Sequence, residues 1–272
     1  MLFVTLKIRK NKSLSDKTKI IAITNQKGGV GKTTTSVNLA TALVSCGKSV
    51  LLVDFDPQGN ASTGLGIPVN KREENAYLML ISKCKPENAI KETVIPGLKI
   101  IPTTIDLSAA EIELSNLENR EKRLSKNLEI IKRKFDYILI DCPPSLGLLT
   151  INALTAANEV LVPLQCEFYA LEGLTQLLKT IKIVSYKLNP SLVLKGIVLT
   201  MYDKRNKLSE QVEYDVRRHL KDKVYRTVIP RNVRISEAPS HGLPVLLYDT
   251  NCLGSKAYLS LAGEIIQKEG VF

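Results

Sequence analysis

The sequence predicts a single α/β domain with a mostly parallel sheet that carries helices on both faces. Runs of apolar residues without polar alternation recur along the chain, as expected of strands that are buried on both sides. Segments with helical periodicity separate most of these runs, which is the pattern of repeated βαβ units. No internal repeat or long linker interrupts the pattern, so one domain is predicted over residues 19–272.

The predicted elements alternate in chain order. The strand runs begin with KIIAIT and SVLLVDFD, and together they cover residues 19–24, 49–56, 98–102, 137–141, 159–164 and 192–200. Apolar residues at helical spacing predict helices over residues 33–46, 106–134, 170–188, 208–221 and 256–268. The first of these helices has Gly47 as its C-cap. Residues 1–18 form a basic extension, for which a flexible tail and an added edge strand are alternative interpretations.

Composition restricts the function classes. With 272 residues, of which 44% are hydrophobic, the chain can bury a full core, which excludes a disordered protein. Its net charge of +11 favours a polyanionic partner such as nucleic acid, although solvated lysine faces produce the same charge. No run of 18 apolar residues and no signal-peptide pattern occurs, which indicates a cytoplasmic protein. Reduced thiols are expected because no CxxC pair joins the scattered cysteines Cys46, Cys84, Cys142, Cys166 and Cys252.

The stretch TNQKGGVGKTTT joins the first predicted strand to the first helix. It contains Gly31-Lys32-Thr33, the last part of the phosphate-binding pattern GxxxxGK[ST], but Gln26 stands where that pattern has its first glycine. A glycine-rich turn before a helix exposes backbone N–H groups to an anion. In this pattern Lys32 reaches the β- and γ-phosphates and Thr33 binds Mg²⁺, and we expect Thr34 to hold the α-phosphate.

A dinucleotide-binding loop is the main alternative for this stretch. Gly29-Val30-Gly31 resembles the start of GxGxxG, and Asp54 lies where a ribose-binding acid is expected. Thr34, however, occupies the position of the third glycine, and dinucleotide binding gives no role to Lys32 and Thr33. The sequence therefore favours a nucleoside triphosphate.

Three acidic residues lie at the ends of predicted strands. Asp54 and Asp56 end the second strand in DFDPQGN, and Asp141 ends the strand in ILIDCPPS. Open α/β sheets bind ligands beyond the carboxyl ends of their strands, so these acids are expected to face the glycine-rich loop. One of the first two can support Mg²⁺ or its waters and the other can orient the attacking water, with Asp141 as the Walker B acid. Capping of the turn before Pro57 is the alternative role for Asp54 and Asp56.

Together, the motifs KGGVGKT, DFDPQGN and DCPPS resemble those of the deviant-Walker-A ATPases of the ParA/MinD class. The resemblance extends from about Lys19 to the C-terminus. Three further stretches, LVPLQCEFYALEGL, GIVLTMYDKR and VIPRNVRISEAPSHGLPVLLYD, are similar to the Soj branch of ParA, whose members partition chromosomes together with ParB. The resemblance implies a P-loop NTPase domain that hydrolyses ATP weakly with Mg²⁺ and is stimulated by a partner.

The resemblance also implies roles for individual residues. Lys27 is the signature lysine, which contacts the phosphates of the facing subunit in a dimer that sandwiches two ATP molecules, and Gly28 allows the close approach. Asp56 positions the hydrolytic water, whereas Asp54 and Asp141 lie by the metal. Lys32 is implied to be catalytic together with Lys27 and Asp56. The other residues implied to bind nucleotide or metal are Gly29, Val30, Gly31, Thr33, Thr34, Met201, Pro230, Arg231 and Asn232, of which the last four border the adenine.

Two arginines, Arg205 and Arg234, match residues with which Soj-like proteins hold DNA phosphates, which implies sequence-independent, salt-sensitive binding of double-stranded DNA. Either an extension of this surface or a solvated helix face accounts for Lys204, Lys207, Arg217, Arg218, His219, Lys221 and Lys223. MinD-type relatives end in a basic membrane helix. Here Tyr258, Leu261 and Ile265 give the last helix a core-facing stripe, so no membrane partner is expected.

The leading hypothesis from the sequence is therefore an ATP-dependent partitioning ATPase of the cytoplasm and nucleoid. Its ATP-bound homodimer binds DNA nonspecifically, and a ParB-like centromere-binding protein triggers hydrolysis and release. A MinD-like or cargo-positioning switch that does not act on DNA is the alternative, and a metabolic ligase or reductase on the same fold is a third. Iron–sulfur relatives are disfavoured because they need paired cysteines.

Overall fold

The computed structural model describes residues 18–167 and 169–270. Within them, one sheet of eight strands has the order β3-β4-β2-β5-β1-β6-β7-β8. The strands are β1 (Lys19–Ile23), β2 (Val50–Asp54), β3 (Lys91–Glu92), β4 (Leu98–Ile101), β5 (Tyr137–Asp141), β6 (Glu159–Gln165), β7 (Val193–Tyr202) and β8 (Val224–Pro230). The helices are α1 (Lys32–Ser45), α2 (Asn60–Gly64), α3 (Ala76–Leu80), α4 (Pro86–Ala89), α5 (Ala110–Glu113), α6 (Arg123–Ile131), α7 (Leu148–Ala156), α8 (Ala170–Lys187), α9 (Lys207–Leu220), α10 (Val233–Glu237), α11 (Val245–Tyr248) and α12 (Leu253–Glu269).

The sheet is mostly parallel, as the sequence predicts. Neighbouring strands pair in parallel except β3 and β4, which are antiparallel. The central strand β1 lies between β5 and β6, and strands that follow it in the sequence lie on both of its sides. Ligands of open α/β sheets bind beyond the carboxyl end of such a central strand, and the glycine-rich loop follows β1 at this place.

Alternate residues of the central strands pack into two separate cores. On one face, Ile21 and Ile23 of β1 join apolar residues of α1, α11 and α12. On the other face, Ile20 and Ala22 join apolar residues of α6, α7, α8 and α9. Successive side chains of a strand point to opposite faces, so a strand buried on both sides needs apolar residues at every position. This requirement explains the unbroken apolar runs and confirms the predicted fold class.

The predicted single helix over residues 106–134 is wrong. Asn119 takes a left-handed conformation with φ of 54°, which breaks the helix ahead of α6. Ser115, Asn116 and Asn119 also favour turns, because their side chains compete for backbone hydrogen bonds. Only α5 and α6 form in this region, and they are accompanied by 3₁₀ turns at Ile105–Ala109, Arg120–Lys122 and Lys132–Lys134.

Several further elements were not predicted, namely β3, β8, α7 and the short helices α2, α3, α4, α10 and α11. The strand β8 lies at the edge of the sheet and exposes Arg226, so its sequence VYRTVIP lacks an unbroken apolar run. The helix α7 is buried over most of its circumference, and its apolar residues therefore do not form one stripe. Both cases show that periodicity predicts an element only when the element has the usual exposure.

The predicted N-terminal extension lies outside the described residues except for Thr18. This residue is buried, and its hydroxyl lies within hydrogen-bonding distance of the carbonyl oxygens of Lys132 (2.8 Å) and Phe135 (3.0 Å). Thr18 therefore packs against the segment that leads into β5. Among the described helices, none combines the length and the apolar character that crossing a membrane requires.

Candidate functional site

The glycine-rich loop between β1 and α1 has a definite shape. Gly29 and Gly31 adopt left-handed conformations, with φ of 73° and 84°, which residues with a Cβ rarely adopt. Val30 is buried between them, and its carbonyl oxygen accepts a hydrogen bond from the Thr200 hydroxyl of β7 (2.8 Å). Thr35 N–H donates to Gly31 O (2.9 Å) at the start of α1. The first N–H groups of a helix have no helical hydrogen-bond acceptor, so those of this turn can stabilise an anion beside the loop.

The Lys32 side chain is buried under the loop. Its Nζ donates to the carbonyl oxygen of Lys27 (2.8 Å). Burial lowers the pKa of Lys32, while the charges of Asp141 and Asp56 act in the opposite direction. The ammonium group is therefore placed inside the loop and under the influence of two acids, Asp141 at the end of β5 and Asp56 in the turn after β2.

Two buried acids lie side by side at the carboxyl ends of β2 and β5. Asp54 and Asp141 are paired in register, and both are fully buried. Ser62 donates to Asp54 Oδ2 from its N–H (2.7 Å) and from its hydroxyl (2.6 Å). Ser36 of α1 donates to Asp141 Oδ1 (2.7 Å). A serine from a neighbouring helix thus fixes one oxygen of each carboxyl group.

The second oxygen of each acid meets no donor. Asp54 Oδ1 and Asp141 Oδ2 are buried and lack a hydrogen-bond partner within residues 18–167 and 169–270. Burial raises the pKa of Asp54 to about 6. Burial and the charge of Asp54 raise the pKa of Asp141 to about 8, against the effect of the Ser36 and Thr33 hydroxyl groups. Two buried carboxylate oxygens have no donor, and the Thr33 hydroxyl lies beside Asp141. Such a set of oxygen atoms fits a divalent cation that prefers oxygen ligands.

The chemistry of this donor set matches Mg²⁺. The described part of the chain has no group of three or more His, Cys, Asp or Glu that could hold a metal. Mg²⁺ needs no such group, because it binds through one or two carboxylates and takes its other ligands from water and phosphate oxygens. The residues present therefore fit this ion in the presence of a nucleotide.

Asp56 lies in the turn that leads from β2 into α2. Its Oδ1 accepts the Gln58 N–H (3.1 Å), and its carbonyl oxygen accepts the Gly59 N–H (2.8 Å). Gly59 has a φ of 64°, so this turn depends on a glycine. The Asp56 side chain is nearly buried, and its charge acts on Lys32. A carboxylate in this place can orient a water molecule and accept its proton.

Lys27 and Gly28 form the outer rim of the loop. The Lys27 N–H donates to Asn25 Oδ1 (3.1 Å), and Asn25 Nδ2 donates to the Pro163 carbonyl (2.7 Å), so β6 supports the rim. The Lys27 side chain is half exposed and forms an ion pair with Glu167 of the same chain. A Cβ built at Gly28 meets no described atom within 4 Å, which leaves this face of the loop open.

A pocket of about 230 Å³ opens beside the loop at Gly31 and Thr34. The ends of β7 and β8 form its far wall, where Arg231 N–H donates to the Tyr202 carbonyl (3.0 Å). Part of the lining is polar and part is apolar, which suits a flat heterocyclic ring. The pocket brings together all four residues that the resemblance places around the adenine, namely Met201, Pro230, Arg231 and Asn232.

Arg205 and Arg234 are both exposed, and each is paired with acids. Arg205 donates to the two carboxylate oxygens of Asp203 (3.0 and 2.9 Å), and these hydrogen bonds lower the pKa of Asp203 to about 2. Arg234 contacts Glu237 (2.9 Å) and Asp249 (3.5 Å). The two guanidinium groups face solvent, but acids of the same chain balance part of their charge.

The basic residues around α9 do not form one uniform surface. Arg217 is partly buried; its Nε donates to Glu213 (2.8 Å) and its Nη1 donates to the Tyr225 carbonyl (3.0 Å). It therefore ties α9 to β8 instead of extending an open cationic patch. The other members of the predicted extension are exposed, namely Lys204, Lys207, Arg218, His219, Lys221 and Lys223.

Several residues that shape the site were not identified from the sequence. Ser36 and Ser62 fix the two strand-end acids, and Thr200 supports the glycine-rich loop. Small hydroxyl residues near turns are common, so nothing in their spacing indicates this role. Glu167 and Arg72 resemble ordinary surface charges, and only the fold shows that they contact the site's own segments.

Comparison with known proteins places the chain in a family. Residues 18–194 match the AAA domain family. The chain is 59% identical over 253 residues to the chromosome partitioning protein ParA of Caulobacter vibrioides (strain NA1000 / CB15N), a match that covers 92% of this chain and 95% of that protein. It is 57% identical over 247 residues to the sporulation initiation inhibitor protein Soj of Bacillus subtilis (strain 168), a match that covers 91% and 98% of the two chains.

A solved structure shows the same fold. The cobyrinic acid a,c-diamide synthase from Mycobacterium smegmatis, with bound ADP and magnesium, has a TM-score of 0.82 and 37% sequence identity, and the match covers 93% of this chain and 96% of that one. The predicted family is thereby confirmed by sequence and by fold. The extent and identity of these matches show that the chain belongs to the ParA/MinD-type P-loop ATPases and, within them, to the ParA/Soj proteins.

Proposed function

We propose that this chain is an ATP-dependent DNA-partitioning ATPase that forms a homodimer when ATP and Mg²⁺ are bound. The observation that carries the proposal is the convergence of two lysines and three acids on one glycine-rich loop. They are Lys27, Lys32, the strand-end acids Asp54 and Asp141, and Asp56 in the turn after β2. The relatives named for chromosome partitioning support the biological role.

The nucleotide binds along the loop and into the adjoining pocket. The N–H groups of the loop and of the first turn of α1, together with Lys32 Nζ, hold the phosphates. The adenine occupies the pocket between Met201 and Asn232, which opens directly at Gly31 and Thr34. Support for this arrangement comes from the continuity of loop and pocket and from the ADP in the related synthase structure.

Mg²⁺ is held by the Thr33 hydroxyl and, directly or through water, by the free oxygens of Asp54 and Asp141. The two buried oxygens without donors support this assignment. When bound, Mg²⁺ neutralises charge on the phosphate oxygens and helps to orient them. The serines fix the other oxygens and so hold both carboxylates in place at the carboxyl ends of the neighbouring strands β2 and β5.

Hydrolysis transfers the γ-phosphoryl group to water. A bond forms between the water oxygen and the γ-phosphorus, and the bond from that phosphorus to the oxygen of the β-phosphate breaks, which yields ADP and phosphate. Asp56 orients the water and accepts its proton. Lys32 and Lys27 stabilise the negative charge on the phosphate oxygens during the transfer.

Lys27 makes this reaction depend on dimerisation. It leaves Glu167 and contacts the phosphates bound to the second subunit, across the open face at Gly28. A charge-assisted contact of this kind contributes roughly 1.5–3 kcal/mol. Because the dimer contains two such contacts, the bound triphosphate controls the balance between monomer and dimer.

The dimer binds double-stranded DNA without sequence preference through Arg205 and Arg234. Two copies of a weak phosphate-binding surface on one rigid particle give avidity that a monomer lacks. A ParB-like protein at a centromere site stimulates hydrolysis, and the dimer then separates and leaves the nucleoid. Support for this cycle comes from the exposure of both arginines and from the net charge of +11.

Gel shifts with double-stranded DNA of random sequence test the proposal, with ATP, ADP or no nucleotide and at two salt concentrations. We expect a shift with ATP only, and a weaker shift at the higher salt concentration. ATP turnover without any DNA shift at low salt indicates a cargo-positioning switch. Turnover that requires an added small molecule indicates a ligase on the same fold.

A further inference from the structure

Arg72 lies in the polar stretch NKREEN, yet only 4% of the residue is exposed. Its guanidinium donates hydrogen bonds to residues 59–67, which follow β2, and to Thr103, which lies just beyond β4. The acceptors are Gly59 O (3.3 Å), Thr63 Oγ1 (2.9 Å), Ile67 O (3.0 and 2.6 Å) and Thr103 O (3.1 Å). A planar group with five donors in fixed directions satisfies such a set, and a lysine ammonium group does not.

The first of these acceptors belongs to the turn that carries Asp56. Gly59 N–H closes this turn on the Asp56 carbonyl (2.8 Å), and Gly59 O accepts from Arg72 Nη1 (3.3 Å). The same Nη1 lies 2.5 Å from the position that a Cβ on Gly59 would take. The guanidinium therefore packs directly against the turn and holds its far end.

A second set of contacts leads from Arg72 to Asp54. Arg72 Nη1 donates to Thr103 O (3.1 Å), and Thr103 N–H donates to Ser62 Oγ (3.2 Å). That serine hydroxyl in turn donates to Asp54 Oδ2 (2.6 Å). Arg72 thus joins the turn of one acid to the support of the other, and it fastens both to the end of β4.

We propose that Arg72 is a positioning residue for ATP hydrolysis, because it fixes the Asp56 turn and so determines where Asp56 holds the attacking water. The inference rests on the proposed function, since it concerns the same site. It acts on the step that follows nucleotide binding, because its contacts lie on the acid-bearing segment and not on the glycine-rich loop. The same contacts would surround an arginine that only stabilises the fold. Kinetic measurements separate this role from the positioning of Asp56.

The test compares Arg72→Met and Arg72→Lys with the control Arg217→Met. Arg217 is a suitable control because its guanidinium also donates to backbone carbonyl oxygens, at Tyr225 and Arg226, but it joins α9 to β8. For each protein we measure kcat and KM for ATP without DNA, the affinity for ADP, and the thermal unfolding temperature. Hydrogen exchange over residues 57–64 reports on the turn itself.

We expect Arg72→Met to lower kcat roughly 10- to 100-fold with ADP affinity unchanged, since a displacement of about 1 Å can reduce a rate about 100-fold. Arg72→Lys keeps the charge and some donors, so its kcat should lie between those of the wild type and Arg72→Met. Residues 57–64 should exchange hydrogen faster in this variant than in the wild type. Arg217→Met lowers the unfolding temperature and leaves kcat at the wild-type value.

Two results overturn the inference. One is a wild-type kcat in Arg72→Met or, if that variant does not fold, in Arg72→Lys. The other is an equal loss of kcat in the Arg72 and Arg217 variants, which indicates a general loss of folded protein. A wild-type chain that does not hydrolyse ATP overturns the proposed function itself, and this outcome is distinct from the other two.

Discussion

The side chain of Lys27 forms an ion pair with Glu167, which follows β6 in the same chain. The two side chains are 47% and 27% exposed, so water screens their attraction. Exposed ion pairs contribute about 0.2–1 kcal/mol, which is less than a charge-assisted contact with a bound phosphate. The pair therefore holds Lys27 in the single chain, and in the proposed dimer it would be replaced by the stronger contact with the phosphates of the facing subunit.

Removal of this pair should favour the dimer. In Glu167→Gln, Lys27 is released at no cost, and we expect the ATP-dependent dimer to form at a lower protein concentration. A pair that contributes at most about 1 kcal/mol allows a shift of up to about fivefold per subunit. Sedimentation over a range of concentrations measures it, with Glu87→Gln on α4 as the control for loss of charge. Equal or weaker dimerisation in Glu167→Gln contradicts the interpretation of the pair.

Asp56 should be required for turnover but not for assembly. Its side chain makes one hydrogen bond to Gln58 N–H, whereas the turn closes through its backbone carbonyl, so Asp56→Ala is expected to fold. We expect a loss of turnover of roughly 100-fold or more, with ATP-dependent DNA binding retained. Asp56→Asn keeps the shape and the hydrogen bond but accepts no proton, and it should be equally slow. Hydrolysis at the wild-type rate in either variant refutes the assigned role.

The metal-free protein should lose stability as the pH rises. The pKa of Asp54 is raised to about 6 and that of Asp141 to about 8, whereas an unfolded chain titrates near about 3.9. The folded state therefore binds protons more tightly, and this contribution is complete below about pH 4 and is lost through pH 6 and 8. Asp141→Asn stays neutral at every pH, so its unfolding temperature without metal or nucleotide should fall less between pH 6 and pH 9. If the unfolding temperatures of the wild type and Asp141→Asn fall equally between these pH values, the raised pKa of the buried Asp141 carboxyl group is contradicted.

The acid beside Arg205 should limit DNA binding. The Arg205 guanidinium donates two hydrogen bonds to the Asp203 carboxylate, which also balances its charge. Asp203→Asn removes this negative charge, so Arg205 is available to a phosphate and we expect tighter binding of random-sequence DNA with ATP. Arg205→Gln should weaken binding and reduce the salt dependence by about one phosphate contact. Arg133→Gln, at an exposed position in the turn Lys132–Lys134 ahead of β5, is the matched control and should bind DNA as the wild type does. If DNA affinity is the same in all these variants, the surface lies elsewhere.

Much of the fold could be predicted from the sequence because buried parallel strands have an unmistakable pattern. The runs that became β1, β2, β4, β5, β6 and β7 are apolar at nearly every position, since both faces are covered. Periodicity failed where exposure was unusual, at the edge strand β8 and at the buried helix α7. It also failed over residues 106–134, where Asn119 interrupts an otherwise helical spacing.

The candidate site was predictable as far as its motifs extend. Lys32, Asp54, Asp56 and Asp141 follow recognisable strands, so their meeting at one edge of the sheet follows from parallel topology. Supporting residues come from distant parts of the chain and have no motif. Arg72 shows the difficulty, because a buried guanidinium within a run of charged residues cannot be distinguished by sequence from an exposed one.

The molecular mass of Asp56→Ala in solution, measured by light scattering with saturating ATP and Mg²⁺, tests the central claim most directly. The account predicts a dimer with ATP and a monomer with ADP. Gly28→Val is the control. A Cβ at this position meets no atom of the described residues within 4 Å, so we expect the substitution to block the approach of a second chain and to leave a monomer that binds ATP. If Asp56→Ala remains a monomer while saturated with ATP and Mg²⁺, Lys27 does not act across a dimer interface and the proposed cycle is wrong.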